Sequence, residues 1–244
     1  MIVARSIIFN LVLLCWLILM IAVMWTFLPL PRRFMQCVVY AWTTIPRTAL
    51  KWIVGLDFQV LGQENKPSGA ALIASKHQSA WDTFVFHLLY RDAVYIVKKE
   101  LLSIPFWGWY MRKCGSIPVD RSGGGQALKE MVRKSRAALA EGRQVIIFPE
   151  GTRTAPGQLQ PYNPGVAALY AMTEAPLVPV ALNSGLFWGR RGFLKYPGVI
   201  TIEFLPPMPP GLGRRAFLAE LEKRIETATD RLVARAKSQY FPKD

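Results

Sequence analysis

Acidic residues are scarce in this 244-residue chain, which has 16 Asp and Glu against 30 Lys and Arg and a formal net charge of +14. Residues 1–56 contain no acid at all. Such an excess of positive charge calls for an anionic partner, either nucleic acid or the surface of an acidic membrane. The acid-free segment is also the most apolar part of the chain, and no nucleic-acid-binding motif is present. We therefore expect a membrane partner and no nucleic acid.

Cysteine is scarce too, and the three cysteines, Cys15, Cys37 and Cys114, have no paired spacing. They indicate neither a zinc site nor a disulfide framework, and they fit a reducing compartment. We expect each of them to be a small buried apolar residue.

An apolar run occupies residues 7–30, and its only polar members are Asn10 and Thr26. A helix of this length can cross about 30 Å of hydrocarbon. A cleaved signal peptide is the alternative, but no small-residue cleavage site follows the run. Residues 34–54 mix aromatic and aliphatic side chains with basic ones, which predicts an interfacial or re-entrant helix.

The basic residues of this N-terminal part lie mostly after the apolar run. By the positive-inside rule they keep the remaining chain in the cytoplasm. We therefore expect residues 1–56 to anchor the protein to the cytoplasmic face of the cell membrane, which is the inner membrane in a bacterium. Whether residues 7–30 span the bilayer or enter one leaflet stays open at this point.

From residue 57 to residue 244, short β-rich runs alternate with helical patterns, which predicts one α/β domain with a largely parallel sheet. Seven strands are expected, at residues 58–61, 71–75, 93–97, 116–119, 144–148, 177–182 and 199–205. Helices are expected between them or after them, at residues 80–90, 106–113, 126–141, 165–172 and 214–239.

Histidine occurs only twice, and His77 lies five residues before Asp82, directly after a predicted buried strand. Histidine can take and return a proton near neutral pH, and a carboxylate on its far nitrogen fixes its tautomer. The pair is therefore a candidate general-base dyad without a serine. If the substrate brings a hydroxyl, His77 can deprotonate it for attack on an activated acyl group, which predicts acyl transfer.

The spacing of the pair constrains its geometry, because residues five apart on a straight helix point about 140° away from each other. We therefore expect His77 in the turn after the strand, Asp82 in the first turns of the next helix, and Ser79 as the helix N-cap. The alternative is that His77 fills a turn and Asp82 complements the positive end of the helix. The second histidine, His87, is expected to be structural.

Two loops supply candidate anion-binding groups. Residues 148–153 combine a tight turn, backbone donors, a hydroxyl and the guanidinium of Arg153, which together can hold a phosphate monoester. Residues 115–121 end a strand in Arg121. Because a parallel sheet gathers the carboxyl ends of its strands at one edge, we expect both arginines to lie near His77. The alternative in each case is a turn with a solvated arginine.

Taken together, these segments resemble the glycerolipid acyltransferase family, of the bacterial lysophosphatidic acid acyltransferase type. The family's H-x4-D block matches residues 77–82, and its G-x-I-x-x-D-R block matches residues 115–121. Its F-P-E-G-T-R block is complete at residues 148–153, and its V-P-V block matches residues 178–180. The resemblance covers roughly residues 57–206, and four blocks in this order make coincidence very improbable.

The resemblance implies transfer of a fatty acyl group from an acyl carrier protein or coenzyme A thioester to the free hydroxyl of 1-acyl-glycerol-3-phosphate, giving phosphatidic acid. It implies no metal or bound cofactor. His77 would be the base and Asp82 its orienting partner. The glycerol phosphate site would consist of Arg121, Glu150, Gly151, Thr152 and Arg153, with Lys98 as a further phosphate contact.

One departure from the family pattern is Lys76, because the family often has Asn before the histidine. This leaves a second acceptor open, another lysolipid such as a lyso-ornithine lipid. A third hypothesis, of a different class, is a membrane-anchored lipid-binding protein that has the fold without turnover. The choice between the two thioester donors, the acyl-chain preference and the oligomeric state also stay open.

Overall fold

A computed structural model describes residues 1–242 of the chain. Two helices come first, α1 (Ile2–Phe27) and α2 (Arg32–Ala49), and a π-helical turn, Leu50–Val54, continues α2. The break between the helices contains two prolines, and Pro31 lies immediately before the first residue of α2. This position suits proline, because the first amides of a helix have no partner within it.

The remaining chain forms the predicted α/β fold with a seven-stranded sheet. The strand order is β1-β7-β6-β2-β5-β3-β4. Neighbouring strands are parallel except for β6 and β7, so that β7 and β1 run opposite to the others. The strands are β1 (Leu56–Leu61), β2 (Ala71–Ser75), β3 (Val94–Lys98), β4 (Ile117–Val119), β5 (Gln144–Ile147), β6 (Leu177–Leu182) and β7 (Gly198–Phe204).

The central strands explain why the sheet forms where it does. Every residue of β2 and β6 is buried, as is every residue of β5, which is typical of strands covered on both faces by helices. β2 lies between β5 and β6 and is parallel to both. The loops that follow these three strands therefore lie side by side at one edge of the sheet.

Helices cover both faces of the sheet. The five predicted helices are present, although α3 begins at Asp82 instead of residue 80, and one short helix, α7, was not predicted. Ser79 is not the N-cap of α3, because Trp81 occupies that position and the Ser79 hydroxyl accepts a hydrogen bond from the Trp81 amide. The helices are α3 (Asp82–Leu89), α4 (Trp107–Lys113), α5 (Gly124–Ala140), α6 (Gly165–Thr173), α7 (Ser184–Phe187) and α8 (Arg214–Tyr240).

Near its N-terminus, α1 is attached to the α/β domain through its few polar residues. The Lys195 ammonium donates to the Asn10 side-chain oxygen at 2.7 Å, and the Lys195 backbone N–H donates to the Ser6 hydroxyl at 3.0 Å. Between them Phe9 is fully buried, edge-on against Trp188 with ring centroids 5.6 Å apart. The polar side of α1 therefore faces the domain.

The other side of α1 is apolar and exposed, and we call it the apolar face; it includes Ile8, Leu11, Leu14, Ile18, Leu19 and Trp25. Trp25 packs against Phe106 and Trp109 of the α4 region, at centroid distances of 5.3 and 5.2 Å.

The expectation of buried cysteines is wrong for Cys15 on α1 and Cys37 on α2, because both are exposed.

Candidate active site

His77 and Asp82 meet in the predicted arrangement. His77 lies in the loop after β2, and Asp82 is the first residue of α3. The His77 Nδ1–H donates to Asp82 Oδ2 at 2.9 Å, which leaves Nε2 free to accept a proton. The Asp82 side chain is fully buried, whereas the His77 side chain is 12% exposed.

The Asp82 carboxylate is held from several directions. Oδ2 also accepts the backbone N–H groups of Gln78 and Ser79, at 2.7 and 2.8 Å, and Oδ1 accepts the Ser184 hydroxyl at 2.6 Å. With both oxygens engaged, the carboxylate has one orientation. The amides of Gln78 and Ser79 are consequently occupied and are not free to stabilise an oxyanion.

The loop after β5 fixes His77 itself. The imidazole stacks on Phe148 with ring centroids 4.0 Å apart and an interplanar angle of 18°. The His77 backbone N–H donates to Glu150 Oε1 at 2.9 Å, and its carbonyl accepts the Thr154 N–H at 2.8 Å. The F-P-E-G-T-R segment therefore contacts His77 through its ring, its N–H and its carbonyl.

Glu150 does not lie at the predicted glycerol phosphate site. The residue is 2% exposed, its carboxylate faces the backbone of His77, and Oε2 is 3.2 Å from the Lys76 ammonium. Burial raises the pKa of the Glu150 carboxyl. It is not among the residues that line the cavity described next. A buried carboxyl cannot contact a phosphate, so its role is to support the loop.

A cavity of about 580 Å³ opens beside His77, and its size is ordinary for a ligand site. Six of the predicted residues line it: His77, Lys98, Arg121, Gly151, Thr152 and Arg153. The wall is completed by apolar side chains from α2 and α4, including Val39, Trp42, Trp107 and Met111. Arg214 at the start of α8, which was not predicted, also lines it. One cavity therefore combines a histidine, several cations and an apolar wall.

Gly151 allows the two arginine loops to meet. Its φ is +67°, and a Cβ placed there would lie 2.5 Å from Arg121 Nη2 and 2.7 Å from Asn163 Nδ2. The Arg121 guanidinium donates to the Gly151 carbonyl. The Arg153 guanidinium, by contrast, makes no hydrogen bond or ion pair with a protein group within residues 1–242. Its donors are therefore available to a ligand in the cavity.

His87 lines the same cavity from α3 and packs against Tyr95, with ring centroids 4.8 Å apart. Burial lowers the pKa of His87 to about 4, so that its imidazole is neutral at ordinary pH. It has no carboxylate partner in the part of the chain that the structure describes. His77 is therefore the better candidate for a base.

No cluster of three or more potential metal ligands occurs within residues 1–242.

Ser184 and Gln78 belong to the site but were not predicted. Ser184 holds Asp82, and the Gln78 side-chain oxygen accepts the Gly185 N–H at 3.0 Å. Both contacts join the His77 loop to the segment after β6. The available signal was positional, because β6 is parallel to β2 and its carboxyl end lies at the same edge of the sheet.

Comparisons with known proteins agree with this geometry. A sequence profile of the acyltransferase family matches residues 57–183. The chain is 37% identical over 200 residues to a 1-acyl-sn-glycerol-3-phosphate acyltransferase of Pseudomonas aeruginosa, covering 82% of this chain and 77% of that protein. It is 28% identical over 193 residues to the alpha form of the same enzyme from Homo sapiens, covering 74% and 68%.

The crystal structure of the 1-acyl-sn-glycerophosphate (LPA) acyltransferase PlsC from Thermotoga maritima has the same fold. Its TM-score is 0.77 at 20% identity, and the match covers 96% of this chain and 99% of that one. Fold and comparisons together define an α/β acyltransferase. The chain belongs to the acyltransferase family, which confirms the resemblance found in the four sequence blocks.

The geometry predicts different effects for the two histidines. His77→Ala should lower kcat by about 10²- to 10⁴-fold, the usual contribution of a general base, while the protein stays folded. Asp82→Asn should cost less, because the amide oxygen can still accept the N–H groups and the amide can donate to Ser184. The measurement is acyl transfer by each variant at saturating substrate.

His87→Ala is the matched control, because it also removes an imidazole from the cavity wall. It should retain most of the activity. An active His77→Ala variant, or an inactive His87→Ala variant beside it, would show that the base is assigned to the wrong histidine.

Proposed function

We propose that the protein transfers a fatty acyl group from a thioester to the free hydroxyl of 1-acyl-glycerol-3-phosphate, giving phosphatidic acid, with His77 as general base. The observation that carries the proposal is the composition of one cavity. The cavity contains a histidine that is hydrogen-bonded to a buried carboxylate, guanidinium donors without a protein partner among the described residues, and an apolar wall. An acceptor with a hydroxyl, a phosphate and an acyl chain needs these three features, and the relatives are named for this reaction.

The reaction needs no enzyme nucleophile. His77 Nε2 takes the proton of the acceptor hydroxyl as its oxygen attacks the thioester carbonyl, and Asp82 stabilises the imidazolium that forms. The tetrahedral intermediate then expels the thiolate, and the imidazolium returns the proton to the sulfur. One ester forms, one thioester breaks, and His77 ends in its starting state. The donor thioester is that of acyl carrier protein or coenzyme A.

The phosphate of the acceptor is assigned to the cations at the loop ends. Arg153 offers two parallel N–H donors that match a phosphate, and Arg121 is held close by through Gly151. Thr152 adds a hydroxyl, and Lys98 adds charge at the end of β3. When the phosphate is bound, the free hydroxyl is oriented toward His77. The energy of phosphate binding therefore holds the reacting groups in the geometry that the attack requires.

Nothing in the structure favours the second acceptor, another lysolipid. That hypothesis depended on Lys76, which is 1% exposed and does not line the cavity. Its ammonium pairs with the buried Glu150 and with Glu226. Lys76 therefore cannot select the acceptor by contact.

For the membrane we propose that α1 lies in one leaflet at the cytoplasmic face and does not span the bilayer. Ser6 and Asn10 near one end of α1 contact the α/β domain, and Trp25 near the other end contacts the α4 region. A helix that touches the same domain at both ends cannot carry its N-terminus to the opposite side. The apolar face is then directed toward the acyl chains of the lipids.

The attachment should resist high salt, because screening weakens electrostatic binding but not the burial of apolar side chains. A cysteine placed at residue 2, in a variant without Cys15, Cys37 and Cys114, should not react with an impermeant maleimide from the outer face, and it should react after permeabilisation. Release of most of the protein by salt would contradict attachment through the apolar face. Labelling of the cysteine in intact cells would contradict an N-terminus on the cytoplasmic side.

Arg153→Lys should impair the enzyme although it keeps the charge, because lysine cannot reproduce the paired hydrogen bonds of a guanidinium. The phosphate is held before and during attack, so the first effect should be a higher KM for lysophosphatidic acid, followed by a lower kcat. The KM for the thioester should change little. Steady-state kinetics with each substrate varied separately measures the three constants.

Two controls make this result specific. Arg133→Lys changes an exposed arginine on α5 that pairs with Glu130, and it should leave all three constants unchanged. An acceptor without the phosphate monoester should be equally poor for wild type and for Arg153→Lys. If Arg153→Lys impaired both acceptors to the same degree, Arg153 would support the loop instead of binding phosphate.

A further inference from the structure

Lys76 is a buried lysine directly before the proposed base. It is 1% exposed, and its ammonium lies 2.8 Å from each carboxylate oxygen of Glu226 on α8. On the other side it is 3.2 Å from Glu150 Oε2. Tyr162 completes the cluster by donating its hydroxyl to Glu226 Oε1 at 2.8 Å. Lysine is almost never fully buried unless it is paired, and here one ammonium is paired with two carboxylates.

This cluster is connected to the reaction through Glu150. While Oε2 faces Lys76, Oε1 of the same carboxylate accepts the backbone N–H of His77 at 2.9 Å. A path of short polar contacts therefore leads from Glu226 on the C-terminal helix, through Lys76 and Glu150, to the backbone of His77.

We propose that Lys76 is a positioning residue for His77: its ammonium keeps Glu150 ionised and oriented, so that the Glu150 carboxylate fixes the His77 backbone, and Glu226 holds the ammonium in place. The inference rests on the proposed function, because the position of His77 affects turnover only if His77 is the base. The connection from Lys76 to the His77 amide can be tested without turnover.

The charges around Glu150 explain why a cation is needed. Lys76, Glu226 and Tyr162 are the titratable side chains that form the cluster, and the His77 N–H is the polar backbone group facing it. Burial opposes ionisation of Glu150, and the Glu226 carboxylate opposes it further. Lys76 supplies the largest attraction that opposes both, and the Thr154 hydroxyl and the His77 N–H add to it. An ionised carboxylate accepts an amide hydrogen bond about twice as strongly as a neutral group does.

The test replaces Lys76 by methionine, which keeps the length of the side chain and removes its charge. Burial already raises the pKa of Glu150, and loss of the ammonium raises it further. Glu150 is protonated below its pKa, so the variant should be most affected at low pH and should recover as pH rises. The ratio of its kcat to that of wild type should fall about tenfold on the acid side, as expected when a charge-assisted hydrogen bond becomes a neutral one.

A second readout follows the His77 amide directly. Because the chain contains only two histidines, protein labelled with ¹⁵N-histidine gives two backbone amide signals, and the one missing from His77→Ala belongs to His77. The pH dependence of the His77 amide shift in wild type is the reference, since it contains any effect of the imidazole of the same residue. In Lys76→Met the shift should show an additional change as Glu150 titrates, and this change should disappear when Glu150→Gln is combined with Lys76→Met. The His87 signal should have the same pH dependence in wild type and Lys76→Met.

Two variants separate this role from general support of the fold. Glu226→Gln keeps an acceptor for the ammonium and leaves Lys76 paired with Glu150, so any loss of kcat should be by the same factor at every pH, without the additional loss on the acid side. Glu150→Gln removes the titrating group. In that background the effect of Lys76→Met should no longer depend on pH.

The proposal is overturned if Lys76→Met is as active as wild type throughout, or if its activity is lowered by the same factor at every pH with an unmoved His77 amide signal. The second result would assign Lys76 to the stability of the fold alone. If Lys76→Met does not fold, the same comparison is made between Glu226→Gln and the double variant with Lys76→Met, which leaves a single uncompensated carboxylate.

Failure of the proposed function gives a different pattern. Wild type would then transfer no acyl group to lysophosphatidic acid from either thioester, while the His77 amide would still respond to Lys76→Met in the way described.

Discussion

The position of His77 depends on two buried carboxylates that approach it from different parts of the chain. Asp82 accepts its ring N–H, and Glu150 accepts its backbone N–H. The next two amides, of Gln78 and Ser79, also donate to Asp82. A buried amide without a partner is costly, so this loop has few alternative conformations. The imidazole is therefore oriented before any substrate arrives, which is what a positioned base requires.

The order of the strands explains why segments distant in sequence form one site. β2 and β5 are parallel neighbours with Ala74 opposite Ile147, so the loops that follow them begin side by side. One loop carries His77, and the other carries Phe148 to Arg153. The apolar part of the cavity comes from α2 and α4, whose region also packs against the end of α1. This arrangement, with the cavity wall built from the helices next to the apolar face, supports the proposal of a lipid acceptor.

The sequence was sufficient for the fold class and for six polar or turn residues that line the cavity, because these depend on local patterns. Buried strands, an amphipathic α5 and arginines at strand ends are readable residue by residue. Glu150 shows the limit. It lies within the same block as Arg153, and which way each side chain points depends on the backbone of the loop and on Lys76. The reversed direction of β7 and the contact of Ser184 with Asp82 likewise depend on tertiary packing.

Two polar residues differ from the apolar residues next to them in the sequence, and tertiary contacts explain both. Lys76 follows a fully buried strand, and Asn10 interrupts an apolar run; neither fits its local pattern. In the structure their partners lie 150 and 185 residues away, at Glu226 and Lys195. Burying a polar group without a partner costs free energy, so a polar residue at a position that burial demands implies a partner elsewhere in the chain. Neither partner could be named from the sequence, because each contact joins distant segments and depends on the fold.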